Sequence, residues 1–346
     1  MNEARKTAIA TGEADSGIGD LMKAIVQDRF GPPDTLLLID TEKPEIGSGE
    51  VLLKVHAAAV NPYDWHMVRG DPRIARLMGG VGLTRPKTRI AGIDVAGRVQ
   101  IVGADVHYLR PGDEVFGFAQ GAFAEYTTAD AALMVPKPAG LTFEQAAAIP
   151  MAAVTALHAM RDRGRVQPGQ RVLVNGAAGG VGTFAVQIAA ALGAEVTGVC
   201  SARNTDMVRS IGATHVVDYA SEDFTAGTIR YDVVLDNVGN RTLRDLRRAA
   251  TPTGTVIVNG GGSPGRIIGA VGSILRAAIV NLFVRQRITM VPTTWSREDL
   301  LAVTELVDNG TLRPIIDRTY PLADAAAGLR HVEGGHARGK VVITIP

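Results

Sequence analysis

The N-terminal part of the chain carries short apolar or alternating runs, each bounded by proline, glycine or aspartate. Such runs are typical of strands. They are Met22–Gln27, Leu36–Ile39, Val51–Ala59, Gly97–Val102, Asp113–Phe118 and Gly121–Thr127. Since no long helical period interrupts them, the pattern predicts a small, partly open β-barrel.

The pattern changes near residue 141. Thr142-Phe-Glu-Gln145 predicts a helix that begins with a capping box, and a second helix is expected from Ala152 to about Arg163. Strands and helices then alternate. The predicted strands are Val172–Asn175, Glu195–Cys200, Val216–Asp218, Tyr231–Asp236 and Thr255–Asn259, and the helices between them include Thr183–Leu192 and Asp206–Ile211. This order predicts a doubly wound parallel sheet with helices on both faces.

The last part of the chain is mixed. Helices are expected at Arg297–Val307 and Leu322–Val332, and the strand Lys340–Ile345 closes the chain. We interpret this as a return to the first domain, and 346 residues are enough for two domains. The prediction is a disordered tail at 1–21, a barrel domain at 22–142 and 290–346, and an α/β domain at 143–289.

Composition and charge exclude several classes of protein. The chain is 46% hydrophobic and 21% charged, with a net charge of +1, so nothing favours nucleic acid or an anionic membrane as a partner. Its one cysteine, Cys200, rules out a disulfide framework within the chain and a cysteine-rich zinc site. Because residues 1–20 also lack the apolar core of a secretory signal, we expect a cytoplasmic protein.

A mostly apolar segment, Ile267–Val284, is the one candidate for a membrane span. Arg276 stands in its middle, where a charge costs about 2.5–3.5 kcal/mol at a bilayer centre. We therefore expect no span, and a buried or subunit-facing helix instead. A lid over the substrate is the second option.

The strongest motif is a glycine-rich turn between a predicted strand and a predicted helix, with the spacing G-x-x-G-G-x-G. Pyrophosphate needs backbone N–H groups brought close at a helix N-terminus, and side chains would block that approach. The position inside a βαβ unit favours a dinucleotide site over a turn that merely packs the helix on the strand. The cofactor-binding candidates are Gly176, Ala178, Gly179, Gly180, Val181 and Gly182.

The second strand of this unit indicates which dinucleotide binds. NAD sites usually carry Asp or Glu about 20 residues after the glycines, to hold the ribose 2′-hydroxyl. This strand is followed by Ser201-Ala-Arg203, with no carboxylate. Ser201 and Arg203 suit a 2′-phosphate, so the sequence favours NADPH, although Arg203 as a solvated surface charge is the alternative.

These motifs together resemble the medium-chain dehydrogenase/reductase superfamily, and within it the zinc-independent quinone oxidoreductases (zeta-crystallin-like). The resemblance covers roughly residues 23–346. The matching stretches are Asn61-Pro-Tyr-Asp64, Ala91-Gly-Ile-Asp-Val-Ala-Gly97, Gly121-Ala-Phe-Ala-Glu-Tyr126, Leu141-Thr-Phe-Glu-Gln-Ala-Ala-Ala148, Ala153-Val-Thr-Ala156 and the glycine turn. The resemblance implies a GroES-like barrel made from both chain ends, an inserted Rossmann domain and an active site in the cleft between them.

The resemblance also bears on zinc. Zinc-dependent relatives have a cysteine three residues before the Asp of the first motif and a histidine between the Gly and the acid of the second. Here those positions are Asn61 and Ile93, neither of which is a good catalytic zinc ligand. We expect no metal, and His66 is interpreted as a polar cleft residue.

The remaining site residues follow from the resemblance and from where strands end. Thr155 and the strand-end residues are expected at the cofactor, and Arg338 and Lys340 near its phosphates, with a surface charge as the alternative for Lys340. The strand-end residues are Asn237, Val238, Asn259, Gly260 and Gly261. In the catalytic part, Asn61 and Tyr63 are candidates to bind the substrate oxygen, and Asp64 to order the site. Tyr63 as a packing residue is an equal alternative.

Without zinc the carbonyl lacks a Lewis acid, so hydride transfer to a quinone or an α,β-unsaturated carbonyl is favoured. An NADP-dependent alcohol or aldehyde dehydrogenase and a non-catalytic NADPH-binding sensor are the alternatives. The expected partner is a small-molecule substrate, without nucleic acid. A homodimer through the sheet edge near Arg287–Pro292 is a further option.

Overall fold

A computed structural model describes residues 21–71, 82–259, 284–292 and 294–346. Three predictions fall outside these residues: the N-terminal tail, the apolar segment up to residue 283, and the cofactor contacts of Gly260 and Gly261. Among the described residues, no helix combines the length and the apolar character needed to cross a membrane.

The barrel domain is built from strands that come from both parts of the chain. They are β1 (Leu21–Val26), β2 (Leu37–Glu42), β3 (Glu50–Val60), β4 (Asp94–Val102), β5 (Glu114–Phe118), β6 (Tyr126–Asp130), β7 (Met134–Pro136), β14 (Ile316–Pro321) and β15 (Lys340–Thr344). Seven of them form one sheet in the order β14-β15-β3-β4-β5-β7, with β6 paired to β3, and β1 pairs with β2. The partly open barrel is confirmed.

The return of the chain to this domain is carried by β15. It pairs antiparallel with β3, with Val341 opposite Val60 and Thr344 opposite Ala57. Val341, Val60 and Ala57 are nearly or fully buried, so the C-terminal strand belongs to the barrel core.

In the described part of the chain, the second sheet is parallel throughout and has six strands. They are β8 (Arg171–Asn175), β9 (Glu195–Cys200), β10 (His215–Asp218), β11 (Tyr231–Asp236), β12 (Ala250–Val258) and β13 (Arg287–Met290). Their spatial order is β10-β9-β8-β11-β12-β13. The order reverses between β8 and β11, and a crevice at the carboxyl ends of strands at such a point is where nucleotides bind.

The helices connect these strands and the two domains. They are α1 (Pro62–Arg69), α2 (Phe143–Ala147), α3 (Pro150–Leu157), α4 (Gly180–Ala191), α5 (Thr205–Ser210), α6 (Leu243–Ala249), α7 (Arg297–Asp308) and α8 (Ala325–Glu333). Thr142 caps α2 with its side chain, as the sequence predicts, and Ser296 caps α7 in the same way. One apolar cluster contains Phe116 and Phe118 of the barrel and Val172 of the parallel sheet, so the core is continuous across the cleft.

Three predicted elements differ from the structure. Residues 121–125 are not a strand; β6 begins at Tyr126, because Phe123 turns into the barrel core and only an isolated bridge, Ala24 to Ala124, forms there. Residues 219–230 form turns and not a helix. The predicted helix to Arg163 is α-helical only to Leu157 and continues as a π-helix, His158–Gly164.

Candidate active site

The glycine turn lies at the switch point, between the end of β8 and the start of α4. Gly176 has φ = 80°, in the left-handed region that favours glycine. At Gly182 a Cβ atom would lie 2.1 Å from the carbonyl oxygen of Gly176, which is a backbone atom and cannot move aside cheaply. The chain therefore closes on itself too tightly for side chains, as a backbone cradle for phosphate requires.

The N-terminus of α4 completes this cradle. Gly179 is the N-cap residue, and Gly180, Val181 and Gly182 form the first turn, where backbone N–H groups lack helical acceptors. Gly176 and Ala178 lie in the same turn, which runs from residue 176 to residue 182. The positive end of the helix dipole favours a bound anion here.

The barrel domain touches the cradle directly. The backbone N–H of Gly339 donates to Ala178 O at 2.8 Å, and Gly179 and Gly339 form a parallel bridge. The next residue, Lys340, begins β15. The glycine turn contacts Gly339, and the next residue already belongs to the barrel sheet, so the turn and the barrel core are directly connected.

Polar side chains close the other side of the crevice. Asn175, at the end of β8, donates to Asp236 Oδ1 at 2.8 Å, and the same oxygen accepts the N–H groups of Val238 and Gly239, each at 3.1 Å. Asp236 therefore shapes the loop after β11 and is not a free ligand. We call this loop and the glycine turn together the cofactor crevice.

Asn237 and Asn259 face each other across the same crevice. Asn259 Nδ2 donates to Asn237 Oδ1 at 2.8 Å. The Nδ2 of Asn237 is buried and has no protein partner in the described part of the chain. An unpaired buried donor is costly, so this amide fits a site that a ligand with acceptor atoms completes.

The residues expected to select NADPH lie after β9. Ser201 Oγ accepts a hydrogen bond from Asn204 Nδ2 at 3.2 Å. Arg203 is exposed, and its Nη2 donates to the carbonyl oxygen of His336 at 3.2 Å. A single hydrogen bond to a carbonyl leaves most of the donors of the guanidinium group for an anion.

Thr155 and Arg338 are two further candidates for contacts with the cofactor. Thr155 lies on α3, half-buried, and α3 packs against α4, the helix that follows the glycine turn. Arg338 is exposed beside Gly339. Their contacts with a cofactor stay predictions.

Asn61 and Asp64 form the start of α1 at the floor of the cleft. Asn61 is the N-cap residue, and its backbone N–H donates to Asp64 Oδ2 at 2.7 Å. Burial raises the pKa of Asp64 from 3.8 to about 7, and the nearby carboxylate of Asp94 acts in the same direction. Asp64 therefore holds the start of α1, and its role in ordering a substrate site stays a prediction.

Lys340 corrects one expectation. Its side chain is 3% exposed, so the surface-charge alternative is wrong. Its stem passes beside Gly180 of the glycine turn, and its ammonium group reaches Asn61 and Asp94 of the barrel domain. Nζ donates to Asn61 Oδ1 and lies 3.3 Å from Asp94 Oδ2. The buried polar cluster, as we call it, consists of Asn61, Asp64, Asp94 and Lys340.

Asp94 joins this cluster to the helix that lines the cleft. Its Oδ1 accepts the backbone N–H of Met151 at 3.1 Å, and the residue is fully buried. Burial raises its pKa, while the ammonium group of Lys340 acts against that shift. The carboxylate is thus held by the backbone N–H of Met151, the ammonium group of Lys340 and the side chain of Asn61.

Tyr63 faces a cavity of about 310 Å³. The cavity is lined by, among others, Gln27, Tyr63, Asp64, Lys87, Ile93 and Gln120. The Tyr63 ring packs edge-on against Trp295, with centroids 6.0 Å apart, and Trp295 stacks on Phe118. Burial raises the pKa of Tyr63, so its phenol keeps its proton and can donate a hydrogen bond. Tyr63 is both a packing residue and a polar residue of the cavity.

Ile93 is buried beside this cavity with no donor atom to offer a metal. His66 is half-buried, and burial lowers the pKa of its imidazole. In the described ranges no three histidine, cysteine, aspartate or glutamate side chains come together as a metal site would require.

Sequence reasoning missed the roles of Asp94, Asn175 and Asp236. Asp94 is the first residue of β4, Asn175 and Asp236 are the last residues of β8 and β11, and each is 3% exposed or less. A carboxylate or amide at that position in a buried strand was the available signal, since buried polar groups need partners.

Two family models match the chain. "Alcohol dehydrogenase GroES-like domain" matches residues 47–139 and "Zinc-binding dehydrogenase" matches residues 211–343. The first range covers β3 to β7, and the second runs from just after α5 into β15. Their order along the chain agrees with a barrel domain followed by a nucleotide-binding domain.

Known proteins are similar over nearly the whole chain. The mouse (Mus musculus) protein NAD(P)H oxidoreductase RTN4IP1, mitochondrial, is 34% identical over 367 residues, which is 97% of this chain and 92% of that protein. The structure of the quinone oxidoreductase from Coxiella burnetii superposes with a TM-score of 0.82 at 32% identity, over 94% of this chain and all of that one. The Escherichia coli quinone oxidoreductase complexed with NADPH gives 0.79 at 26% identity, over 93% and 99%.

The fold and the site define a two-domain oxidoreductase with a nucleotide crevice between its domains. The chain belongs to the quinone oxidoreductase (zeta-crystallin-like) family of the medium-chain dehydrogenases/reductases. As a member of that family it is an NAD(P)H-dependent reductase.

Proposed function

We propose that the protein uses NADPH to reduce a quinone or an α,β-unsaturated carbonyl compound. The observation that carries this proposal is the junction at Gly339–Lys340, which brings the backbone cradle and the buried polar cluster together in one cleft. The E. coli relative, whose structure contains NADPH, supports the choice of cofactor.

The residues of the crevice fit a phosphorylated dinucleotide. The cradle offers N–H groups at the start of α4, Asn237 offers an unpaired amide, and Arg203 offers a cation after β9. When bound, NADPH supplies a hydride, which carries two electrons and one proton. The proposed contacts of Ser201, Asn259 and Arg338 belong to the same crevice.

The residues around the cavity fit an acceptor with a carbonyl oxygen. Tyr63 lines the cavity and keeps a phenolic proton, and Asn61, two residues earlier, is proposed as a second donor. Both are donors for the oxygen on which negative charge develops when the acceptor takes up hydride. A second proton, from water or from a side chain, completes the reduction. Neither Asn61 nor Ile93 offers the sulfur or imidazole ligand that a catalytic zinc ion needs. In this proposal the donors Tyr63 and Asn61 polarise the carbonyl oxygen, as zinc does in zinc-dependent relatives.

A direct assay tests the proposal. Purified protein is incubated with NADPH and either 9,10-phenanthrenequinone or a short 2-alkenal, and the loss of nicotinamide absorbance is followed. We expect turnover of at least one of the two acceptors. Tight NADPH binding without turnover would favour a sensor, and oxidation of simple alcohols with NADP+ would favour a dehydrogenase.

The state of assembly and the compartment stay predictions. In the described part of the chain β13 has a single neighbour, β12, so the segment Arg287–Pro292 lies at a sheet edge as a dimer contact would require. We propose a homodimer through this edge. A cytoplasmic location is also our proposal, while the mouse relative is named a mitochondrial protein.

A further inference from the structure

The cavity beside Tyr63 has polar side chains that binding of a carbonyl oxygen does not account for. They belong to Gln27, Lys87, Thr88 and Gln120, and all four residues line the cavity together with Tyr63. We call these four residues the polar wall. A molecule that fills the cavity meets the polar wall as well as the phenol of Tyr63.

The polar wall is held in place by the backbone. Gln27 directly follows β1, and its N–H donates to the carbonyl oxygen of Arg89 at 2.8 Å. One residue earlier, Val26 forms an antiparallel bridge with Ile90. The side chain of Gln27 is therefore presented from a fixed backbone position, as a residue that selects a ligand requires.

The amide of Gln27 has an oxygen without a partner. Its Nε2 atom lies 3.5 Å from the carbonyl oxygen of Thr88, at the limit of a hydrogen bond. Since a carbonyl oxygen only accepts, the amide turns its nitrogen to Thr88 and its Oε1 atom elsewhere. In the described part of the chain this Oε1 atom is buried without a hydrogen bond, and Gln27 is 4% exposed. Such an acceptor is costly in a folded protein, so it fits a site that a ligand with a donor group completes.

The other members of the polar wall supply donors. Thr88 Oγ1 donates to Gln120 Oε1 at 3.1 Å, so the amide of Gln120 turns its nitrogen away from Thr88. Lys87 is exposed and carries an ammonium group, which only donates. The polar wall thus combines one acceptor with two donors.

A hydroxyl group matches this combination, because its O–H donates and its oxygen accepts. A carboxylate would place a second acceptor against Gln27 Oε1, and a methyl group would leave that oxygen unpaired. The mixed set of donors and acceptor therefore favours a hydroxyl group over both.

We propose that the acceptor carries a hydroxyl group, which donates to Oε1 of Gln27 while the carbonyl oxygen of the same molecule meets Tyr63. Gln27 is then a specificity-determining residue that selects hydroxylated quinones or enones. The cavity of about 310 Å³ is at the lower end of the range of roughly 300–1,000 Å³ for small-molecule sites, which suits an acceptor of one or two rings. This inference rests on the proposed function and narrows its substrate class.

A matched pair of quinones tests the inference. The wild type should reduce 2-(hydroxymethyl)-1,4-naphthoquinone with a kcat/KM about 10-fold above that for 2-methyl-1,4-naphthoquinone, the size of one hydrogen bond to a buried acceptor. Gln27→Met has nearly the same length and lacks the amide, so this ratio should fall about 10-fold. Because both quinones are measured on one preparation, the fraction of folded protein cancels from the ratio. NADPH affinity should stay unchanged.

Gln167→Met is the matched control. The Nε2 atom of Gln167 also donates to a backbone carbonyl oxygen, that of Arg165, at 3.1 Å. Gln167 is exposed and does not line the cavity. Its substitution should leave the ratio of the two quinones at the wild-type value.

A third quinone covers the case in which Gln27→Met does not fold. In 2-(methoxymethyl)-1,4-naphthoquinone the oxygen is kept and the O–H is lost, so its kcat/KM with the wild type should fall at least to that of the methyl compound. Equal turnover of the hydroxymethyl and methoxymethyl compounds would overturn the inference, as would an unchanged ratio in folded Gln27→Met. For a wild type that reduces only enones, 4-hydroxycyclohex-2-enone and cyclohex-2-enone form the corresponding pair. A wild type that reduces no quinone and no enone would instead refute the proposed function.

Discussion

The cofactor crevice and the buried polar cluster meet at the consecutive residues Gly339 and Lys340, yet they are built from different parts of the chain. The cradle of the crevice is made of backbone atoms within seven consecutive residues, and its selectivity comes from the absence of side chains. The cluster is made of four side chains from three distant segments. Added side-chain atoms should disrupt the cradle, whereas removed side chains should disrupt the cluster, and this difference can be tested.

The largest effect is expected from adding one methyl group to the cradle. In Gly182→Ala the new Cβ would lie 2.1 Å from Gly176 O, so the turn must open and NADPH binding should be lost. Isothermal titration with NADPH measures this loss.

Gly140→Ala is the control for this variant, because a Cβ there meets nothing within 4 Å. It should bind NADPH like the wild type. If Gly182→Ala bound NADPH with unchanged affinity, the cradle would not be the phosphate site.

A smaller effect is expected from removing a side chain at the rim of the crevice. Arg203→Ala should weaken NADPH binding by about 10- to 100-fold, since a hydrogen bond to a charged group is worth roughly 1.5–3 kcal/mol. NADH binding should change little, because NADH lacks the 2′-phosphate. Arg209→Ala, an exposed arginine on the helix that follows, serves as the control. Equal losses for both cofactors would contradict the assignment.

The smallest effect is expected in the buried polar cluster, as a pH dependence of stability. Because burial raises the pKa of Asp64 to about 7, the folded protein binds a proton there that the unfolded chain releases near pH 4. Stability from this group is therefore present at low pH and is lost as the pH rises through about 7.

Asp64→Asn removes this dependence and keeps an oxygen for the N–H of Asn61. The melting temperature of the variant, relative to the wild type, should rise between pH 5 and pH 8. A constant difference across that range would show that Asp64 is ionised in the fold throughout. Asp130→Asn, at an exposed carboxylate, gives the reference curve.

The comparison also explains which parts of the site could be predicted. Periodicity predicted both sheets, and the glycine spacing predicted the cradle, because the turn and its helix are local in sequence. The contact between Lys340 and Asn61 joins residues 279 positions apart, and no local pattern encodes such a pair. Residues 121–125 were misassigned for a related reason: their apolar pattern suits a strand, but tertiary packing places Phe123 in the core without continuous pairing.

The junction at Gly339–Lys340 also fixes the order in which the protein can become active. The parallel sheet and its glycine turn lie within residues 171–290, so their contacts can form before the C-terminal strand exists. The amide of Asn61 gains its cation only when β15, whose Lys340 lies 279 residues further along the chain, docks beside β3. Contacts of such long sequence separation form slowly. During refolding, nucleotide binding should therefore return before acceptor reduction, and the interval between the two reports the docking of one strand.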